Sequence, residues 1–317
     1  MKQLHTICAF WLLWIPVVFQ SCVQDDLSDC ISDKRIYFDY AEALSSPKHE
    51  GINPADITRM NLFVFDENNL FVSEYIDESP RISPEYFMSV PGLKAGNYKF
   101  VAWGNLKEQY AISIPGLIPG ETNFDDIRVS LKCIENSTVK EILKPLFFAT
   151  HAESNTIEIL EMTNQFIRLK LVDDLYKINV TVTGLDSASI ADNDYRIDIS
   201  DDNGIYRFNN DFASCEKFTY TQPCSEPNNE LKASLTVLRL AANRNPVLRL
   251  INKQTNRALI EDDLVKLILS ANEIGASIDF DKTHEFDIKY ELEQLSSSGN
   301  IIIYVNGWKL IRQSTIL

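Results

Sequence analysis

The chain has 317 residues, with 30 basic and 45 acidic side chains and a formal net charge of −15. Its first 21 residues hold one lysine, Lys2, and no acid, so removing them takes the balance to −16. Nucleic-acid binding needs clustered Lys and Arg to displace counterions from phosphates, and no basic stripe survives this balance, so that class is excluded.

The chain opens on a positive n-region and an apolar run of thirteen residues, Ile7 to Phe19. That is short of the roughly 20 residues a spanning helix needs and fits the core of a secretory signal peptide. Phe19-Gln20-Ser21-Cys22 then resembles a bacterial lipobox. Ser21 and Cys22 match it, whereas Phe19 and Gln20 stand where Leu and a small residue are preferred. On this reading residues 1–21 are cut away after Ser21, and Cys22 takes a diacylglycerol on its sulfur. The chain would then be held to a membrane by acyl chains rather than by a helix. Asp25, Asp26 and Asp29 make residues 22–30 an acidic tether. They resemble the signal that sends lipoproteins of Bacteroides-type bacteria to the outer cell surface.

Beyond the tether, strand signals are numerous and helix signals few. "RMNLFVFDENNLFVSEYI", Arg59 to Ile76, reads as a hairpin turning at Asp66 to Asn69. "SPEYFMSV", Ser83 to Val90, is expected as a short helical turn. "NYKFVAWGN" sets Tyr98, Phe100 and Ala102 on one face and Lys99, Val101 and Trp103 on the other, and "DIRVSLKCI" alternates in the same way. A strand "TIEIL" ends near Met162, and a fresh alternating run, "FIRLKLVDDLYKINVTV", begins. About 295 mature residues exceed the usual single-domain size, so two β-sandwiches are expected, at 31–163 and 164–317. In the second, "KINVTVTGL", "YRIDIS", "LKASLTVLRL", "PVLRLIN", "FDIKYEL" and "NIIIYVNGWKLI" are further strands, and "EDDLVKLILSAN" has helical spacing. Asp201 to Gly204 is expected as a hairpin turn; as a calcium loop its spacing fails, since Ile199 stands where an acid belongs.

Of six cysteines, Cys8 leaves with the signal and Cys22 is acylated, which leaves Cys30, Cys133, Cys215 and Cys224. Four cysteines in an exported chain allow three disulfide connectivities. Cys215 with Cys224 is favoured, because nine positions of separation suit the mouth of a loop or hairpin, and Cys30 with Cys133 follows by elimination. Signals for chemistry are sparse. His49, His151 and His284 are solitary, and no zinc-protease pair, nucleophile elbow or phosphate loop occurs. "DSA" at Asp186 to Ala188 resembles a short O-glycosylation motif on Ser187, where a plain turn is the competing reading.

Four segments together carry a family resemblance: the lipobox with "DDLSDC" after it, "PGLKAGNYKFVAWGN" (Pro91 to Asn105), "KPLFFA" (Lys144 to Ala149) and "IIIYVNGWKLIRQ" (Ile301 to Gln313). In this order and spacing the chain resembles the FimB-type minor fimbrial subunits, the fimbrillin-A associated anchor proteins of Bacteroides-like bacteria. The resemblance implies an all-β protein of two tandem transthyretin-like β-sandwich domains with a few short helices, no enzymatic activity, no cofactor and no metal. It implies a lipid-anchored, surface-exposed place on the outer membrane at the base of a fimbria, with a fimbrial stalk pilin as partner through strand exchange. Related stalk pilins are cut after an arginine near the start of the folded region, and Arg35 in "DKRIYFDY" is the nearest such point; the competing reading is a basic residue flanking the first strand. Trp103 and Trp308 are expected as core fillers. A fimbrial tip adhesin or glycan-binding surface lipoprotein built from the same sandwiches is the second reading.

Overall fold

The computed structural model describes residues 33–40, 56–132, 134, 137–185, 194–295 and 298–313. Ser21, Cys22, Cys30, Cys133 and Ser187 lie outside them. The first eleven strands are β1 (Lys34–Asp39), β2 (Met60–Asp66), β3 (Phe71–Asp77), β4 (Phe87–Ser89), β5 (Gly96–Gly104), β6 (Tyr110–Ile112), β7 (Arg128–Leu131), β8 (Thr138–Val139), β9 (Phe147–Thr150), β10 (Ile157–Ile159) and β11 (Gln165–Asp173). Ten follow: β12 (Leu175–Thr183), β13 (Tyr195–Asp201), β14 (Ile205–Arg207), β15 (Phe218–Pro223), β16 (Leu231–Leu238), β17 (Val247–Asn252), β18 (Arg257–Asp263), β19 (Glu285–Leu295), β20 (Ser298–Val305) and β21 (Trp308–Gln313). The α-helix among the described residues is α1 (Leu264–Ser270), started by Asp263, whose carboxylate accepts from Lys266 N at 2.9 Å. No helix of the described residues is long and apolar enough to cross a membrane.

Eight strands form the first sheet, in the order β3-β2-β5-β9-β11-β1-β4 with β10 added on β5. Central strands here are apolar on both sides. In β2, Met60, Leu62 and Val64 enter one core while Phe63 and Phe65 enter another; in β5, Phe100 and Ala102 part in the same way from Val101 and Trp103. This is the alternation the sequence predicts for residues 98–103, and its meaning is a sheet covered on both faces. One core is closed by the sheet itself, with Ile36 and Phe38 of β1 and Ile167 and Leu169 of β11 meeting Leu62 and Phe100. The other runs on without interruption into the second half of the chain.

The second half packs a five-stranded sheet, β16-β12-β19-β20-β21, over another, β18-β17-β13-β15-β8. Ile178, Val180, Ile288 and Tyr290 from the first meet Ile197, Ile199, Leu248 and Leu250 from the second. The two halves trade strands. β8, from the first half, lies parallel to β15, while β14, from the second, pairs with β7 in a small sheet β14-β7-β6. Just past β14, Phe208 sits fully buried against the first sheet, with ring centroids 4.9 Å from Phe63, 5.8 Å from Phe65, 5.7 Å from Phe124 and 6.2 Å from Trp103. Full burial of one such ring contributes about 1.5 to 3 kcal/mol relative to exposure.

Several expectations are corrected. β11 pairs with β1 and β9, so the division expected at residues 163/164 falls at Asp173 to Leu175. The alternation continues from β11 into β12 with a single intervening residue, Asp174, so the sequence pattern shows no break there. Asp201 to Gly204 is no hairpin turn, because β13 and β14 belong to different sheets. Residues 83–86 form a turn and Phe87–Ser89 a strand rather than a helix. Trp103 is fully buried as expected, but Trp308 is 42% exposed and leans on the backbone at Gly275.

Cys215 and Cys224 are free thiols at opposite ends of β15, so the bond expected between them is not formed. Six extended residues span about 20 Å, whereas a disulfide needs Cα atoms within about 7 Å. Burial pushes both thiols up, Cys224 to about 12.

The turn between the sheets is held by buried polar groups. Asp174 accepts from Asn210 Nδ2 at 3.0 Å and faces Arg239 Nε at 3.6 Å, while Arg239 donates to Asn210 O and its guanidinium lies over Phe212 at 4.7 Å. Burial first of all pushes the Asp174 carboxyl up to about 6, against the pull of Arg239 and Asn210. A carboxyl whose folded-state pKa exceeds its unfolded value binds its proton more tightly when folded. Its contribution to stability is therefore complete below about pH 4 and is lost as pH rises through about 6. Asp174→Asn is expected to remove this dependence, on the order of 2 to 3 kcal/mol, from denaturant-derived stabilities measured between pH 4 and 7. Asp201, also raised to about 6 by burial, and Asp173, which burial raises well above the usual carboxylate range, supply what remains.

Candidate functional site

A subunit that joins others through main-chain pairing needs either a removable strand or a free sheet edge. Arg35 lies on the strand where removal would begin. It is the second residue of β1, paired in parallel with Phe166 of β11 and antiparallel with Ser89 of β4. Its Nε meets Asp33 Oδ2 at 2.5 Å, and its guanidinium rests over the Phe87 ring at 4.5 Å. Around it, Tyr37 lies 5.5 Å from Phe87 and 6.2 Å from Phe166, and Arg168 covers Tyr37 at 5.5 Å while bonding Asp39 at 2.7 Å. Alternation explains the arrangement: Ile36 and Phe38 point into the core, so Arg35 and Tyr37 must point out.

The free edge is at the other end of the sequence. β20 and β21 are joined by Asn306 and Gly307 at φ 48° and 82°, both left-handed, which is the two-residue turn whose twist suits a hairpin. Asn306 Oδ1 also accepts from Asp287 N at 2.8 Å, fixing the turn to β19. Among the described residues, β21 is the last strand of its sheet. In such a hairpin the pairs Val305 with Trp308 and Ile303 with Leu310 exchange hydrogen bonds, so Lys309, Ile311 and Gln313 turn main-chain donors and acceptors outward. The sequence marked this run as a strand and passed over its "NG" dipeptide, the signal that would have revealed the hairpin.

Beside the hairpin, on the outer face of β12, β19 and β20, Asn179, Thr181, Asp287, Lys289, Glu291 and Tyr304 line a shallow cavity of ≈ 440 Å³. Its polar groups satisfy one another. Asn179 Nδ2 donates to Glu285 at 2.7 Å and Asp287 at 2.9 Å, and Tyr304 OH meets Glu291 at 3.1 Å. The hydrogen bond from Lys289 leads the effects that hold Glu291 below the usual carboxylate range. An internally paired face of this kind presents hydrogen-bonding groups to solvent.

Elsewhere, His151 Nδ1 accepts from Ser154 N at 3.0 Å in a turn, and His284 stacks on Tyr176 at 4.6 Å. No group of three or more metal-ligating side chains occurs among the described residues.

Comparison with known proteins gives a consistent picture. The model of the fimbrillin-A associated anchor proteins Mfa1 and Mfa2 matches residues 27–314. The minor fimbrium anchoring subunit Mfa2 of Porphyromonas gingivalis is 25% identical over 295 residues, covering 90% of this chain and 87% of that protein. The solved structure of that fimbrial anchor protein superposes with a TM-score of 0.71 at 24% identity, over 90% of this chain and 100% of the other. A putative polysaccharide binding protein from Bacteroides thetaiotaomicron superposes at 0.73 with 20% identity, over 89% and 99% of the two chains. At those identities the superpositions speak to the fold.

Where Arg35 sits also sets its accessibility. A protease binds its substrate as a separate extended strand, so the peptide bond after Arg35 is protected while β1 stays paired on both sides. Digestion of the folded chain with an arginine-specific protease is expected to leave the Arg35 to Ile36 bond intact by mass spectrometry, and to cut it once denaturant opens the first sheet.

Proposed function

Because the chain belongs to the fimbrillin-A associated anchor proteins, we propose that it is the membrane-held base of a fimbria, joined to the bilayer at one end and to the first stalk pilin at the other. Signal peptidase cuts after Ser21, Cys22 carries the lipid, and residues 22–30 carry the chain from the outer membrane to β1. Growth ends here because β1 is retained: with Arg35 uncut, the first sheet opens no groove for another subunit. The stalk pilin instead adds an extended strand to the edge of β21.

The observation that carries this reading is the pairing of the two ends of the fold, with β1 held between β11 and β4 and β21 bare on its outer side among the described residues. Main-chain bonds along Lys309, Ile311 and Gln313 would supply affinity, and the alternation of side chains would set register. Nothing in this role requires catalysis, and the family is one of fimbrial anchors rather than enzymes.

A strain lacking the gene is expected to shed its fimbriae into the medium or to make them abnormally long. Complementation with Ile311→Pro, which removes one outward donor without touching the hairpin's own ladder, should reproduce the deletion at unchanged protein level. Cell-attached fimbriae of normal length in the deletion strain would contradict the anchor role.

A further inference from the structure

Four of the large apolar side chains that the structure leaves exposed collect at one pole of the first sheet. They are Phe166, 63% exposed, Met162, 69%, Leu160, 45%, and Phe87, 36%. Phe87 and Phe166 flank Tyr37 on the open face of β4, β1 and β11, with Arg35 and Arg168 laid over the rings. Leu160 and Met162 belong to the turn at 160–164, and this turn is bonded to the start of β1. Asp33 N donates to Asn164 Oδ1 at 2.9 Å, Gln165 N donates to Asp33 O at 3.0 Å, and Lys34 Nζ donates to Thr163 O.

Folding does not require this face to be bare. The same side of the sheet further along is covered: Phe148 and Trp103 lie in the large core, with Val172 packed against it. The uncovered part begins where β11, β1 and β4 extend past the second half of the chain. Its composition is also particular. Each arginine is matched by an aspartate, Arg35 with Asp33 and Arg168 with Asp39, so the patch carries rings and guanidinium groups with little net charge. Aromatic rings and guanidinium groups side by side suit the boundary of a bilayer, where rings settle among headgroups and acyl chains and arginine forks bond phosphate oxygens.

The length of the preceding chain says what can lie against the patch. Ten residues, 23–32, separate Cys22 from Asp33, and the eleven residue steps between them reach at most about 40 Å when fully extended. If Cys22 carries the lipid, β1 and everything bonded to its first residue stay within that distance of the bilayer. We propose that this pole, formed by Phe87, Leu160, Met162 and Phe166 around Tyr37, Arg35 and Arg168, rests on the outer leaflet as a second, non-covalent membrane contact. The inference deepens the anchor reading and depends on it for the tether. Acyl chains already supply lasting attachment, so the contact serves orientation: it stops the first sheet from swivelling on its tether and sets the angle at which the rest of the molecule leaves the membrane.

The test uses the mature chain made without its signal and with Cys22→Ser, so that no acyl group is present, on vesicles of phosphatidylethanolamine with a minority of phosphatidylglycerol. This chain is expected to sediment with the vesicles. Phe87→Ser, Met162→Ser and Phe166→Ser together should lower the partition at least about tenfold with an unchanged melting temperature, since burying apolar surface is worth about 25 cal/mol per Å². Equal partition of the parent and the triple variant, or no partition of the parent, would overturn the proposal. So would a triple variant that loses capture of the stalk pilin while still binding vesicles, which would place a protein on this face. Absence of an acyl group from the protein isolated from its own membrane is a separate result: it would refute the lipoprotein reading and leave the vesicle comparison standing.

Discussion

Six consecutive parallel pairs, from Lys34 with Gln165 to Asp39 with Lys170, tie the first described strand into the first sheet, one strand in from its edge. Parallel pairing puts the beginning of β1 and the end of β11 at opposite ends of the ladder. A pull applied between residues before Lys34 and residues after Asp173 therefore loads all of those bonds together, in shear, rather than opening them one at a time. Ile36 and Phe38 are buried beneath the same ladder, so separating the strands would also expose apolar surface. For a protein that would be held at its first residues and loaded from its far side, this is the geometry in which a sheet resists.

From Asp173 the load path crosses to the second sandwich through a junction with almost no slack. One residue, Asp174, separates β11 from β12, and its side chain is spent on Asn210 and Arg239. β8 and β14 cross the junction in opposite directions, and Phe208 fills the space between Phe63, Phe65, Phe124 and Trp103. A hinge needs a few residues free to change their backbone angles and a surface over which to move. Here the crossing residues are buried and the surface is continuous core, which makes the two halves one mechanical body.

Much of this was legible in the sequence, and the failures have physical causes. β-rich runs around a turn located the strands 60–66 and 71–77, and period-two alternation located 96–104 and 175–183; that both faces of 98–103 are covered is a property of the sheet that the alternation did not report. The division between halves was misplaced because β11 and β12 share one alternation, and alternation does not report which sheet a strand joins. The same blindness turned Asp201 to Gly204 into a hairpin and put Cys215 and Cys224 at a loop's mouth, when an extended strand holds them apart. Trp308 read as core because size and strand context favour burial; its position on an edge strand is a property of sheet order. The free edge of β21 and the ring-lined face at β1 depend on which strands lack neighbours, and only long-range pairing decides that.

The claim on which the account turns is that β1 is a permanent member of the first sheet and not a detachable cover. Amide hydrogen exchange on the intact protein measures this directly, since amides released by local opening exchange faster than those that wait for global unfolding. The amides of Ile36 to Phe38 are predicted to be protected to the same degree as those of Leu62 to Val64 in β2 and Phe100 to Ala102 in β5. Exchange in β1 that is orders of magnitude faster than in β2 and β5 would contradict it, and would make the strand a removable one.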